Sequence, residues 1–423
     1  MIRLFKNAEI AAAGQIGLTH ADVLVADGKI SQVASGIDAP QGAEVIDCRG
    51  KILLPGLFDM HVHLREPGRN DKESIHTGTE AAIKGGITAV VAMPNTSPAI
   101  DSGGLVRSVL DIASKTARIP VHVAGAITKG REGKEMAGIA GMVGAGVRMI
   151  TDDGSPVENP QMLRRAMEYA REFNLLVASH CETKALSGEG AMNEGSVSYR
   201  FGIPGIPAMS EEICIARDIA IARHTRCRLH ILHVTTARGL ETVRRAKNDG
   251  VNVTCEVTPH HLIFDENDIV DYDANFKVNP PLRTTEDRAA LLAGLSEGVI
   301  DVIATDHAPH TAFEKHQQDF GNAPFGITGL ETALPSLFHH FIAPGKLDWG
   351  LLVEKYSAKP RELMGLDPVE IVEGNLAELV IFDPAGQGEF TKQSMRSKAS
   401  NTPFLDKTLG GTVQMVIVGD LEL

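Results

Sequence analysis

His61 and His63 stand one residue apart in FDMHVHLREPG, with Arg65 two places further on. On a strand, side chains alternate with a period of two, so both imidazoles fall on one face and can reach one ion while Val62 turns into the wall. An HxH pair in a chain of 16 histidines is weak evidence by itself and more often structural. The same reading applied to the ends of the other candidate strands yields Asn95, Asp153, His180, His233 and Asp306. Four imidazoles and two carboxylates without a thiolate are a ligand set suited to a catalytic Zn²⁺. Asp152 and Asp153 are ambiguous as a pair: one is expected to be a ligand, the other to hydrogen-bond a loop. Asp306 in ATDHAPH has the chemistry to bind metal and to take a proton from an activated water, then pass it to a leaving group. Arg65 and Asn95 are suited to an anionic carboxylate, and His310, four residues past Asp306, faces the same mouth.

These residues need a scaffold that gathers strand ends. Eight strands are expected, at 56–63, 88–94, 121–127, 147–151, 175–180, 228–234, 251–257 and 301–306. Helical patterns lie between them, as in QMLRRAMEYAREF, where Leu163, Ala166, Met167 and Ala170 fall at i, i+3, i+4 and i+7. RTTEDRAALLAGL opens with Thr before acidic residues, a helix start. Eight β/α units over about 300 residues argue for a TIM-type barrel with its chemistry at the C-terminal strand ends; a doubly wound sheet is the structural alternative. The first fifty-odd residues read as short strands with an Asp27-Gly28 hairpin, and similar material returns in LAELVIFDP and GTVQMVIVGDLEL. The termini are therefore expected to form one β domain, 1–54 plus 366–423, around a barrel of 55–365. His230, three residues before His233, is expected to face away from it and pack or hydrogen-bond. His260 and His261 in TPHHL read as supporting residues. The loop 310–326 is long and polar enough to be mobile.

The chain has 423 residues, 43% hydrophobic, and its 41 Lys plus Arg against 54 Asp plus Glu leave a formal charge of −13. That balance argues against nucleic-acid or membrane-surface binding and requires local positive charge for any anionic substrate, which singles out Arg65. Five cysteines without CxxC spacing fit a reducing compartment, and MIRLFKNAEIAAAG lacks a leader pattern, so the expected location is cytoplasmic. There is no GxSxG elbow and no GxGxxG or GxxxxGK[ST] loop, which disfavours serine hydrolases and nucleotide binders.

Taken together, DMHVHLREPG, AMPNTSPAID, ITKGREGKE, TDDGSP, SHCE, LHVTT, CEVTPHHL, NPPLR and ATDHAPH resemble dihydroorotase of the long bacterial type (class I), in the amidohydrolase superfamily. The resemblance implies a distorted (β/α)8 barrel with a β-sandwich built from both termini. It implies reversible interconversion of N-carbamoyl-L-aspartate and (S)-dihydroorotate, the third step of pyrimidine biosynthesis. Two zinc ions per subunit are implied, one on His61, His63, Asp153 and Asp306, the other on Asp153, His180 and His233. The mechanism it implies has a hydroxide between the metals attacking the ring amide while Asp306 shuttles the proton. Arg65, Asn95, His310 and His63 match positions holding the substrate carboxylate; Asn279, Phe325 and Gly326 match ring contacts. Hydantoinases and dihydropyrimidinases bridge their metals with a carboxylated lysine on the fourth strand, whereas VRMITDD has none and offers Asp153. The alternatives are a hydantoinase- or allantoinase-like enzyme, or a structural partner of aspartate transcarbamoylase with little activity of its own. Association with that transcarbamoylase and a homodimer are the partners the resemblance admits, besides the small-molecule substrate.

Overall fold

The computed structural model describes all 423 residues. Its eight barrel strands are Leu57–Val62, Ile87–Ala92, Val121–Val123, Met149–Ile150, Leu176–Ser179, Arg228–Ile231, Val253–Val257 and Val302–Ile303. They fall in the eight expected places, every one of them shorter than expected. The first three pair in parallel, as do the last five. Single bridges close the ring, Gly125 to Ile150 on one side and Val62 to His307 on the other. Burial on both faces explains why these strands read as apolar runs: Ile87–Ala92, ITAVVA, is buried throughout.

Alternation sorts the side chains. Phe58, Met60, Ala89, Val91, Met93, Ala124, Met149, Leu176, Ala178, Leu232, Val302 and Ala304 belong to one buried cluster, drawn from within or just past the end of all but the seventh of these strands, while Val62, Val90, Ala92, Val177, Leu229 and Ile231 join the large core shared with the helices. The first strand changes phase partway. A register shift between Asp59 and Val62 lets Met60 point inward and His61 and His63 point inward as well.

The helices that pack outside follow their sequence signals. Pro160–Arg171 buries Leu163, Ala166, Met167 and Ala170, with Pro160 in its first turn and the Asn159 side chain accepting from Gln161 N and Met162 N. Thr285–Ser296 opens on a capping box between Thr284 and Asp287. None of the helices is long and apolar enough to cross a membrane.

Strands from both ends of the chain share one eight-stranded sheet. Ile52–Pro55 pairs with Ile2–Ile10 on one side and Glu378–Phe390 on the other. Thr19–Ala26 and Lys29–Ala34 meet at Asp27 and Gly28, with φ of 51° and 72°, the paired left-handed conformations that a two-residue hairpin requires. Phe5, Val23, Val25, Leu53, Leu379, Ile381 and Ile417 pack into a separate apolar core between these strands. The stretch after Phe390 returns to the barrel, where Asn401 Nδ2 donates to Ala308 O at 3.1 Å and Gly326 O at 2.9 Å.

Candidate active site

Inward alternation on the fifth strand places Leu176, Ala178 and then His180 toward the barrel axis, while Ser179 turns outward to Asp218 at 2.6 Å. The sixth strand behaves differently. His230 is not turned away from the barrel mouth, as simple counting implies; its Nε2 lies 3.0 Å from Glu256 Oε2 and its Nδ1 2.8 Å from Thr254 Oγ1. The strand ends at Ile231, and a left-handed residue at His233, φ 31°, turns that side chain into the mouth after Leu232. Arg65 and Asp306 also carry positive φ, 59° and 47°. Such backbone is uncommon outside glycine and concentrates where side chains are held for a task.

Asp153 stands at the centre. Its Oδ2 lies 3.6 Å from His61 Nε2 and 3.4 Å from His63 Nε2, and its Oδ1 lies 3.6 Å from His180 Nδ1 and 3.7 Å from His233 Nε2. Asp306 Oδ1 is 3.4 Å from His61 Nε2 and 2.9 Å from His63 Nε2. All six of these side chains are buried. Asp152 resolves the pair: it faces away, accepting from Ile127 N at 2.8 Å, Thr128 N at 3.1 Å and the Thr128 hydroxyl.

These six donor groups fit a metal. His61 Nε2 is buried with no hydrogen-bond partner, although it points at two carboxylates. His180 Nδ1 and His233 Nε2 face each other at 3.0 Å. Nitrogen and carboxylate oxygen converge with no thiol among them, as a hard-to-borderline cation requires. A third cluster, Cys181, Cys214 and Asp218, lies behind the fifth strand, where Asp218 already accepts from Ser179 and from Arg217 Nε at 2.7 Å.

Burial raises the Asp306 and Asp153 carboxyls, but the imidazoles around them outweigh it, and both sit below the ordinary carboxylate range. Burial lowers the Arg65 guanidinium to about 10 and it stays cationic at neutral pH. His310 is held far below the ordinary imidazole range by burial and by Arg65, Lys72 and Lys315, so it is neutral.

The mouth opens into a cavity of about 270 Å³, lined by His63, Arg65, Asn95, Asp153, His180, Glu182, His233, Asn279, Asp306, His310, Phe325 and Gly326 among others. His61 is absent from that lining because it is fully buried beneath it. Thus every residue expected for metal, catalysis or substrate is gathered at one place. Asn95 Oδ1 accepts from His63 Nδ1 at 2.8 Å, which leaves its amide N–H₂ for the cavity. Asn279 Nδ2 donates to Glu182 Oε2 at 3.0 Å. Gly326 has φ 143°, and a Cβ there would meet Ala308 O at 2.7 Å, so only glycine lets this turn close over the mouth.

Sequence reasoning missed two carboxylates. Glu256, on the seventh strand, accepts from His61 Nδ1 at 2.5 Å and from His230 Nε2, and the two imidazoles lower its carboxyl against burial to about 2. Glu182 lies 3.2 Å from His180 Nε2. The signal was available for Glu256: a charge in the middle of a buried strand must be paired. The 310–326 loop, expected mobile, is tied down by Lys315 Nζ, which donates to Ala274 O and Lys277 O at 2.8 and 3.0 Å. Lys277 Nζ in turn donates to Phe320 O and Gly321 O at 2.8 and 2.7 Å.

A closed β/α barrel whose mouth gathers four histidines and two aspartates, with the Nε2 of one of them, His61, buried and unsatisfied, is built as a metal-dependent hydrolase, and its likeness to known proteins makes it an amidohydrolase acting on cyclic amides. The dihydro-orotase-like family matches residues 50–238. A dihydroorotase of Bacillus thuringiensis is 44% identical over 98% of this chain and 96% of its own, and one of Trichlorobacter lovleyi is 42% identical over 94% and 93%. The chain belongs to the dihydroorotase family. Among solved structures, L-hydantoinase of Arthrobacter aurescens superposes with a TM-score of 0.87 over 99% of this chain and 95% of its own at 25% identity. Dihydropyrimidinase of Brevibacillus agri gives 0.85 over 100% and 95% at 24% identity, a likeness of fold. The hydantoinase alternative fits less well than the much higher identity to dihydroorotases.

Proposed function

We propose that this chain interconverts N-carbamoyl-L-aspartate and (S)-dihydroorotate at a centre of two zinc ions. One would be held by His61, His63, Asp153 and Asp306, the other by Asp153, His180 and His233. The observation carrying this reading is Asp153, whose two oxygens face two separate pairs of imidazoles. A short aspartate replaces the carboxylated lysine of other amidohydrolases in that role.

Bound metal supplies Lewis acidity, making water acidic enough to attack near neutral pH and polarising the ring amide carbonyl. The protein supplies the proton path and the grip. Ring opening forms a C–O bond at the amide carbon and breaks its C–N bond. Asp306, an anion at the mouth, would take a proton from the attacking water and deliver it to the departing nitrogen, which leaves badly unless protonated. Ring closure uses the same proton in reverse. Arg65, Asn95 and His310, with His63 beside them, would hold the carboxylate that the reaction leaves unchanged, supplying local positive charge in an acidic protein. Asn279, Phe325 and Gly326 would bound the ring.

Metal analysis alongside the dihydroorotate assay tests this reading. About two zinc per chain and turnover in both directions are expected, with hydantoin and allantoin turned over poorly. Preferential turnover of either carboxylate-free ring would overturn it. We further take 1–54 plus 366–423 as a domain distinct from the 55–365 barrel, and the location as cytoplasmic. Association with aspartate transcarbamoylase or with a second copy is read by size measurement of the protein with and without that enzyme. Activity of the chain alone is expected, since every position matched to a metal ligand is filled.

A further inference from the structure

The group that fixes His310 is a lysine outside the carboxylate-binding set. Lys72 lies just before the helix Ile75–Lys84, its side chain 9% exposed, and its Nζ sits 2.9 Å from His310 Nδ1. On the other side of the ring, His310 Nε2 lies 2.8 Å from the carbonyl oxygen of Phe325. An ammonium can only donate and a carbonyl can only accept. Together they admit one neutral tautomer, with the lone pair on Nδ1 and the proton on Nε2. Arg65 Nη2, 3.5 Å from Nε2, then meets a second donor and makes no hydrogen bond. The Phe325 carbonyl already accepts from the Nε2–H, so an anion entering beside the Arg65 guanidinium would take that N–H as a second, shared acceptor.

We propose that Lys72 is a positioning residue for the substrate carboxylate, locking His310 as the Nε2–H tautomer so that its N–H and the Arg65 guanidinium act as one clamp. This inference rests on the reading of His310 and Arg65 as carboxylate contacts. The tautomer of a histidine is set by what its other nitrogen does. Without Lys72, Nδ1 can take the proton and Nε2 then presents a lone pair to an anion. Lys72 Nζ also pairs with Glu314 Oε1 at 2.9 Å, and Arg69 Nη2 with the same oxygen at 3.0 Å. Glu314 caps the short helix Ala312–His316 through Thr311, so a loop-anchoring role for Lys72 is the competing account.

The experiment separates the two. Lys72→Met is expected to raise KM for dihydroorotate about tenfold with kcat within about twofold, the cost of one misplaced charge-assisted donor. Lys72→Arg, which still donates, should recover most of that loss. Glu314→Gln should leave KM within about twofold; an equal rise there would assign Lys72 to loop anchoring and overturn the proposal. In the His310→Ala background, Lys72→Met should add nothing further, and an additive loss would also overturn it. If His310→Ala itself leaves KM unchanged, the carboxylate reading fails rather than the role of Lys72. Should Lys72→Met fail to fold, ¹⁵N spectra of the wild-type protein, with the His310 signal assigned by comparison with His310→Gln, decide the matter. Protonated Nε2 with bare Nδ1 is expected, and the opposite tautomer overturns the proposal.

Discussion

His61 Nδ1 donates to Glu256 Oε1 at 2.5 Å, and both side chains are fully buried. This contact leaves only Nε2 of His61 free, aimed at Asp153 and Asp306. The same carboxylate accepts from His230 and from the backbone N–H of His233, at 3.3 Å, so one buried anion orients the His61 imidazole and holds the turn that carries His233. Groups that orient metal-binding histidines are worth about 10–100-fold in metal affinity. Glu256→Gln should therefore weaken metal binding by about that factor, read by competition with a chelator. Unchanged affinity would leave Glu256 as a packing residue only.

The scaffold was legible because it rests on local patterns that the chain repeats. Leu163, Ala166, Met167 and Ala170 bury as their spacing requires, and Asp27-Gly28 makes its hairpin. The mouth was legible for a similar reason, since period-two alternation carries His180 and Asp306 inward. What alternation missed were its own interruptions. The shift between Asp59 and Val62 and the left-handed turn at His233 are backbone events set by pairing across the barrel, which no single strand encodes. The first keeps His61 and His63 inward after Met60, and the second brings His233 to the mouth although His230, by ordinary alternation, already faces inward beside Glu256. Lys72 escaped for another reason, since its partner His310 lies far off in sequence, whereas Glu182 stands two residues from His180 and was there to be read beside it.

Asp306 is close enough to His61 and His63 to share a metal with them and carries the transferable proton in the proposed reaction. Asn keeps the size and loses the basicity. Asp306→Asn, assayed at saturating metal, should lower kcat by about 10²–10⁴-fold in both directions, the usual worth of general acid–base catalysis. Equal losses are required because opening and closing move the same proton. Retained activity would remove Asp306 from the proton path.

Arg65 Nε donates to Pro309 O at 3.2 Å, which pins the guanidinium and turns its remaining N–H groups to the cavity. A lysine has no second edge with which to do both. Arg65→Lys should raise KM for dihydroorotate by roughly 10-fold or more, with a smaller effect on kcat, since this contact holds a group that does not react. A fall in kcat at constant KM would instead place Arg65 in the chemical step.

Lys315 makes a prediction about pH and stability. Its side chain is 1% exposed, and burial, with Lys277 adding to it, lowers the ammonium to about 7. In the unfolded chain the same group titrates near the ordinary 10.5. Between these values the unfolded chain binds more protons than the folded one, so stability rises with pH across the window and is flat in this respect below it. The slope from one such group is at most about 1.4 kcal/mol per pH unit. Lys277, lowered to about 8 by burial, acts in the same sense above that pH. Lys315→Met loses the donors to Ala274 O and Lys277 O but also loses the slope. Denaturant midpoints of both proteins at pH 6, 7, 8 and 9 should show a nearly constant difference up to pH 7 and a gap that then shifts in favour of the wild-type protein. A gap that stays constant to pH 9 would mean that the two carbonyls keep the ammonium charged, and that the loop stays clamped by a cation throughout.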